Sequence, residues 1–278
     1  MKFEIKNSDL LKLLHDTQIN PRLTDLRWKN RAAEGQRYTI IAAPPKSGST
    51  WITNVLAKSL QLQVRRYCYA WSSNEHDIYV PALLANAQRR TISQLHMRAT
   101  PHNVQLIADF NINTVIITRN VYDTVVSFAR DLMKKKDANI KTTGFDGYGF
   151  VWLNNCNKDW GLEQYIDYSI KYYLPWYINF LSSWSACKDL ISGICVRYEK
   201  LRECPEEVFG GVIEKIDAGK ILHPSFNENH INSSRISGTN SETGSSLDIL
   251  STGQKLQINS FFEGMDDAWV KSHLNTNS

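Results

Sequence analysis

Residues 38 to 51 read YTIIAAPPKSGSTW, a β-branched apolar run that breaks into a small-residue turn holding one lysine, Lys46. A strand that ends in such a turn and restarts as a helix aims several backbone N–H groups and the positive end of the helix dipole at one anion. The stretch therefore predicts a phosphate cradle, with Lys46, Ser47, Gly48, Ser49 and Thr50 around the anion and Trp51 just behind it. In nucleotide hydrolases the lysine follows the last glycine, as G-x-x-x-x-G-K-[ST]. Here Lys46 precedes Gly48 and position 49 is serine, so a kinase or ATPase reading fails at its key residue.

Further β-rich runs occur near residues 91–95, 114–118 and 194–198, separated by segments long enough for helices. Strands alternating with helices imply one α/β domain, a central parallel sheet flanked by helices and joined by right-handed crossovers. Ligands then bind beyond the carboxyl ends of the strands. Residues 8–16 carry leucines at helical spacing behind Ser8, and Pro21 interrupts the pattern, so residues 1–34 read as an N-terminal helical appendage. Residues 136–162, rich in glycine and aromatics, and 232–246, rich in Ser, Asn, Gly and Thr, read as loops over the ligand edge. Ser251 and Gln254 form a capping-box pattern that opens a terminal helix, with Leu256, Phe261 and Phe262 as candidate core residues.

The chain has 278 residues, 42% hydrophobic and 22% charged, enough for a full core. A net charge of +4 suits anionic ligands and falls short of a nucleic-acid signature. Five scattered cysteines without C-x-x-C spacing point to neither a disulfide framework nor a zinc site, and fit a reducing compartment. Neither a secretory h-region nor a transmembrane-length apolar stretch is found, so the expectation is a soluble cytoplasmic protein; neither a Walker-B acid nor metal-ligand spacing is evident, and no metal is expected.

In the segment T118-RNVYDTVVS-F128, Arg119 follows a strand and Ser127 lies eight residues on, in the next helix. Asn120 can cap that helix, and Asp123 suits its first turn. The arginine offers a planar donor fork to a second phosphate, and the serine a hydroxyl if it shares that side. Together, the Pro-Pro-Lys-Ser-Gly-Ser-Thr-Trp loop and the Arg119/Ser127 pair closely resemble the 5′-phosphosulfate and 3′-phosphate motifs of the cytosolic-type sulfotransferases. The resemblance spans about residues 38 to 265 and implies that residues 35–278 form a sulfotransferase domain of P-loop-like fold. It implies 3′-phosphoadenosine 5′-phosphosulfate (PAPS) as sulfuryl donor and 3′-phosphoadenosine 5′-phosphate (PAP) as product. The acceptor would be a hydroxyl or amine of a small molecule, sugar or lipid.

By the same resemblance Trp51, Tyr198, Ser225 and Phe226 match the adenine site. Arg235 and Gly238 match the C-terminal segment that wraps the 3′-phosphate, although the family's second glycine and following tryptophan are not at their usual spacing. His96 matches the catalytic base, Lys46 stabilises the departing phosphate, and Ser127 is implied to restrain Lys46. Gln94 stands where the family has a lysine beside that histidine, which removes one cation; Arg98 is the cation placed to compensate. His102 is the rival base, in a Pro-His-Asn setting that reads as a turn. Tyr148, Phe150, Trp152, Trp160 and the run from Tyr165 to Trp184 suit either acceptor stacking or core packing. A homo-oligomer is not indicated. Two rival readings stand beside the enzyme: a catalytically impaired PAP/PAPS-binding module, favoured by Gln94, and a P-loop small-molecule kinase, which magnesium dependence would reveal.

Overall fold

The computed structural model describes residues 38–69, 75–86, 89–137, 156–216 and 246–275. The predicted appendage at residues 1–34 lies outside them, as do Tyr148, Phe150, Trp152, Ser225, Phe226, Arg235 and Gly238.

Strand β1 (Tyr38–Ala42) passes through the lysine turn into α1 (Ser49–Ser59), then β2 (Gln63–Val64), α2 (Val80–Leu84), β3 (Thr91–Leu95) and α3 (Pro101–Asp109). Next come β4 (Asn113–Thr118) and α4 (Val121–Asp137). Helix α5 (Leu162–Tyr168) continues through a π-helical turn, Ser169–Tyr173, into α6 (Leu174–Cys187). Pro175 lies at the start of α6 and has no N–H for the helical ladder, which widens just before it. The chain closes with β5 (Ile194–Arg197), α7 (Tyr198–Glu203), α8 (Pro205–Ile216), α9 (Ser246–Ile249), α10 (Thr252–Ser260) and α11 (Ala268–Lys271).

All five strands are parallel, in the order β2-β3-β1-β4-β5. The period-2 alternation of side chains splits the apolar runs between two faces. Ile40 and Ala42 of β1, with Ile116 of β4, join Tyr165, Tyr173, Tyr177, Phe180 and Trp184 in one core. Ile41, Val115, Ile117, Ile194 and Val196 join Trp51, Ile52, Val55, Leu56 and Phe209 in the other. The result is a helix–sheet–helix sandwich whose three inner strands, β3, β1 and β4, are buried on both sides, as their continuous apolar runs required, while the edge strands β2 and β5 keep exposed residues. Ala42 pairs with both Leu95 and Ile116, and Thr118 with Arg197, which brings the carboxyl ends of β3, β1, β4 and β5 side by side.

The four predicted strands are present; the two-residue edge strand β2 was not anticipated. The capping box at Ser251 forms, and Phe262 is buried as expected. Leu256 is instead 64% exposed, and Ile258 takes the core position. Among the described residues no helix is long and apolar enough to cross a membrane.

Candidate active site

The cradle is built from backbone that alternates in hand. Lys46 has φ 66° and Gly48 φ 77°, both left-handed, and such alternation turns successive N–H groups into one concavity. The Ser47 hydroxyl donates to the Pro44 carbonyl at 2.7 Å and closes the turn from below. Gly48 caps α1 without a side-chain partner, so the first N–H groups of the helix point outward into the cradle. The Tyr198 ring seals one wall: a Cβ on Gly48 would lie 2.4 Å from its Cε2.

Arg119 leaves the end of β4 and reaches back to this turn, its Nη1 donating to the Lys46 carbonyl at 2.7 Å. The guanidinium stacks over Tyr198, 4.7 Å from the ring centroid. Its Nε is buried and, among the described residues, has no hydrogen-bond partner, an orphan donor of the kind an anion satisfies. Asn120 caps α4 as expected, its Oδ1 accepting from Tyr122 N at 2.9 Å and Asp123 N at 3.3 Å. Glu199 in turn accepts the Asn120 N–H at 2.8 Å.

His96 lies just beyond β3. Its Nδ1 is 2.8 Å from the Ala43 carbonyl, so that nitrogen carries the proton and Nε2 is left to accept one. The ring stacks on His76 at 5.3 Å, and His76 Nδ1 accepts the His96 backbone N–H at 2.9 Å. Burial first, and the His76 ring second, push the His96 pKa down to about 4, so the imidazole is neutral at physiological pH. His76 also borders a cavity of about 460 Å³, with Cys68, Glu75, Asp77, Tyr79 and His102.

Several sequence expectations are redrawn. The Lys46 ammonium does not rest on Ser127; it reaches Asp131, one helical turn further along α4, at 3.1 Å. Arg98 is turned away to a bidentate ion pair with Glu75 and cannot compensate for Gln94. Gln94 accepts the Thr50 hydroxyl at 3.2 Å. His102 lies within the first turn of α3, behind the Thr100 cap and Pro101, with Nε2 on the Ile78 carbonyl. Trp51 is 9% exposed and packs edge-on to Phe209, 5.6 Å away, at the boundary of the second core.

The aromatic run from Tyr165 to Trp184 is largely core, and two of its members set the cradle. Tyr173 donates to the Pro45 carbonyl at 3.2 Å, and the Tyr177 hydroxyl accepts the Arg119 backbone N–H at 2.9 Å. Sequence reasoning missed these two, together with His76, Asp131 and Glu199. The polar edges of the tyrosines are recognisable only once the helix is docked.

Three neighbouring strand ends, those of β3, β1 and β4, thus deliver a neutral histidine, a lysine cradle and an arginine to one edge of the sheet. The sulfotransferase-domain family model matches residues 36–216, and the chain belongs to the sulfotransferase family. Among solved structures it is similar to mouse sulfotransferase SULT7A1 complexed with PAP, at 15% identity and TM-score 0.53, over 88% of this chain and 92% of that one. A sulfotransferase from Alicyclobacillus acidocaldarius aligns at 12% identity and TM-score 0.45, over 86% of this chain and 96% of its own. No curated protein matches in sequence.

Proposed function

We propose that the protein transfers a sulfuryl group from PAPS to a hydroxyl or amine of a small acceptor. The observation that carries this reading is the convergence of Lys46, Arg119 and His96 at adjacent strand ends, with Arg119 bound to the Lys46 carbonyl. The cradle from Lys46 to Thr50 would hold the 5′-phosphosulfate, and Arg119 with its orphan Nε would take the 3′-phosphate, assisted by Ser127, Arg235 and Gly238. Trp51, Tyr198, Ser225 and Phe226 are the proposed adenine contacts. A cavity of about 460 Å³ bordered by His76 is of the size that holds a small organic molecule.

In the transfer, His96 Nε2 takes the proton from the acceptor as its oxygen or nitrogen bonds to sulfur. The bond from sulfur to the 5′-phosphate oxygen breaks, its electron pair stays on that oxygen, and Lys46 neutralises the charge. A histidine that is neutral at physiological pH is in the required protonation state from the start.

Calorimetry with PAP and AMP, joined to turnover, tests the reading. Arg119 and its partners have a ligand only in PAP. Two charge-assisted contacts at roughly 1.5–3 kcal/mol each give PAP at least about a hundredfold preference. His96→Ala should keep PAP affinity within about threefold and lose turnover by roughly 10²- to 10⁴-fold, while His102→Ala stays active. Equal affinities, or magnesium-dependent turnover of ATP, would overturn the donor assignment. Strong PAP binding with an inactive wild type would favour the binding module.

A further inference from the structure

Residues 75–78 have no regular secondary structure, yet all four are fastened to the stretch from His96 to Asn103. Arg98 donates twice to the Glu75 carboxylate. Asn103, fully buried in the first turn of α3, donates from Nδ2 to Asp77 Oδ1 at 3.0 Å and accepts the Ile78 N–H on Oδ1 at 2.9 Å. His76 and His96 exchange two bonds. The His76 N–H donates to the His96 carbonyl at 2.8 Å, and the His96 N–H donates to His76 Nδ1 at 2.9 Å. A ring nitrogen thus stands where a neighbouring strand would present a carbonyl, and the two imidazoles are stacked, 5.3 Å apart and 20° from parallel.

These contacts give the rings opposite tautomers. His96 Nδ1 faces the Ala43 carbonyl and must donate, so its proton is there and Nε2 is bare. His76 Nδ1 accepts, so the His76 proton is on Nε2. An imidazolium has no acceptor nitrogen, and His76 therefore stays neutral for as long as this bond stands. The same four residues, Glu75 to Ile78, form one wall of the cavity of about 460 Å³.

We propose that His76 is the positioning residue of the catalytic base: its Nδ1, committed to the His96 backbone, fixes the plane of the His96 ring and reserves the acceptor's proton for His96 Nε2. This rests on the PAPS reading above. Two stacked rings that both carried a proton would repel each other, and a His76 released from its bond would compete for the proton that the transfer sets free. After burial, the His76 ring is the largest cause of the low His96 pKa; from α4, Lys135 adds to it and Asp131 opposes it. When Nε2 takes the acceptor's proton, His96 becomes an imidazolium whose Nδ1 proton remains on the Ala43 carbonyl, and His76 stays neutral beneath it. No further reactant enters.

The test uses the full chain. Two-bond ¹H–¹⁵N spectra of the imidazole rings at pH 7, assigned by the signals lost in His96→Ala and His76→Phe, should show His96 protonated on Nδ1 and His76 on Nε2. This readout needs neither donor nor acceptor. His76→Phe keeps a ring against His96 but has no acceptor for its N–H, and should give His96 a mixture of tautomers. It should lower kcat by roughly 10- to 100-fold, read as PAP release with a panel of phenols, steroids, sugars and lipid alcohols, and leave PAP affinity within about threefold. His76→Asn should recover most of the kcat, because its Oδ1 lies near the place of Nδ1 and accepts the same N–H. Equal tautomers for the two wild-type rings, an unchanged His96 tautomer and kcat in His76→Phe, or an asparagine variant as slow as the phenylalanine one overturns the inference while the donor assignment stands. Equal affinity of the wild type for PAP and AMP overturns the donor reading instead, and the tautomers still decide whether His76 fixes the His96 ring.

Discussion

At Gly48 three demands meet at one Cα. The backbone must be left-handed, the helix must begin there without a side-chain cap, and the Tyr198 ring must pass within 2.4 Å of where a Cβ would stand. Tyr198 is in turn the platform under Arg119, so the smallest residue in the cradle governs the arginine one shell away. Gly48→Ala should therefore act twice. The left-handed conformation costs about 1–2 kcal/mol for any residue with a Cβ, and the overlap displaces the ring and with it the guanidinium. We expect PAP affinity to fall by at least about tenfold, since one charge-assisted contact is worth that much. In Gly48→Ala/Tyr198→Leu the overlap is relieved, and thermal stability should recover in part while PAP affinity does not. Full recovery of both would mean that Tyr198 has no part in holding Arg119. Lys46, also left-handed but not glycine, holds comparable strain in the residue that bears the charge, and Arg119 and Asp131 fix it from both ends.

At the level of elements, what was legible in the sequence was whatever the backbone alone dictates. The runs at 38–43, 91–95 and 114–118 are strands buried on both faces, a pattern that no amphipathic helix shares, whereas the run at 194–198 alternates, with Ile194 and Val196 buried on one face and Cys195 exposed on the other. Asn120 and Ser251 were legible as caps because a cap is local chemistry. Edge strand β2 was not, since two exposed residues carry no periodicity. Asp131 was missed for a different reason: a carboxylate in a lysine-rich helix reads as a solvated pair until tertiary packing brings Lys46 across 85 residues to meet it. Leu256 was misplaced because leucine at a helical position says nothing about which face is covered. The capping box shows how local and tertiary roles combine. Ser251 Oγ accepts from Gln254 N at 3.2 Å, and Gln254 Oε1 accepts from Ser251 N at 3.1 Å. The same Gln254 side chain donates from Nε2 to Asp167 of α5 at 2.7 Å. Ser251→Ala should cost about 1 kcal/mol, the usual worth of an N-cap. Gln254→Ala should cost more, roughly 2 kcal/mol, because it also leaves Asp167 without that donor. Urea unfolding should rank the two in that order; the reverse would mean that α10 is not fastened to α5 through this residue.

Across the whole molecule, two histidines far apart in the sequence couple stability to pH in the same direction. His96 sits in the active site; His273, 1% exposed, lies in the turn after α11 against Arg197. The His273 Nδ1 donates to the Trp269 carbonyl at 2.9 Å, and its Nε2 is buried without a partner among the described residues. Burial, and then the Arg197 charge, push its pKa down to about 4, as burial and His76 do for His96. Each ring is therefore neutral when folded and protonates near the ordinary value of about 6.5 when unfolded. Above pH 6.5 neither state takes the proton and stability is full. As pH falls toward 4 the unfolded chain alone gains protons, and stability declines, by about 3 kcal/mol for each histidine once both limits are passed. Asp131, with its pKa held low, adds its own loss at more acidic pH, when the carboxylate is finally protonated in the folded protein. His273→Asn isolates one contribution, because the amide retains a donor near the Nδ1 position but does not titrate. The variant should be the less stable at pH 7.5, where it has lost the ring's packing against Trp269. By pH 5 the gap should narrow by about 2 kcal/mol, the part of the histidine's penalty already incurred there. Urea midpoints at the two pH values decide the matter, and a gap that stays constant would show that His273 is protonated to the same extent folded and unfolded.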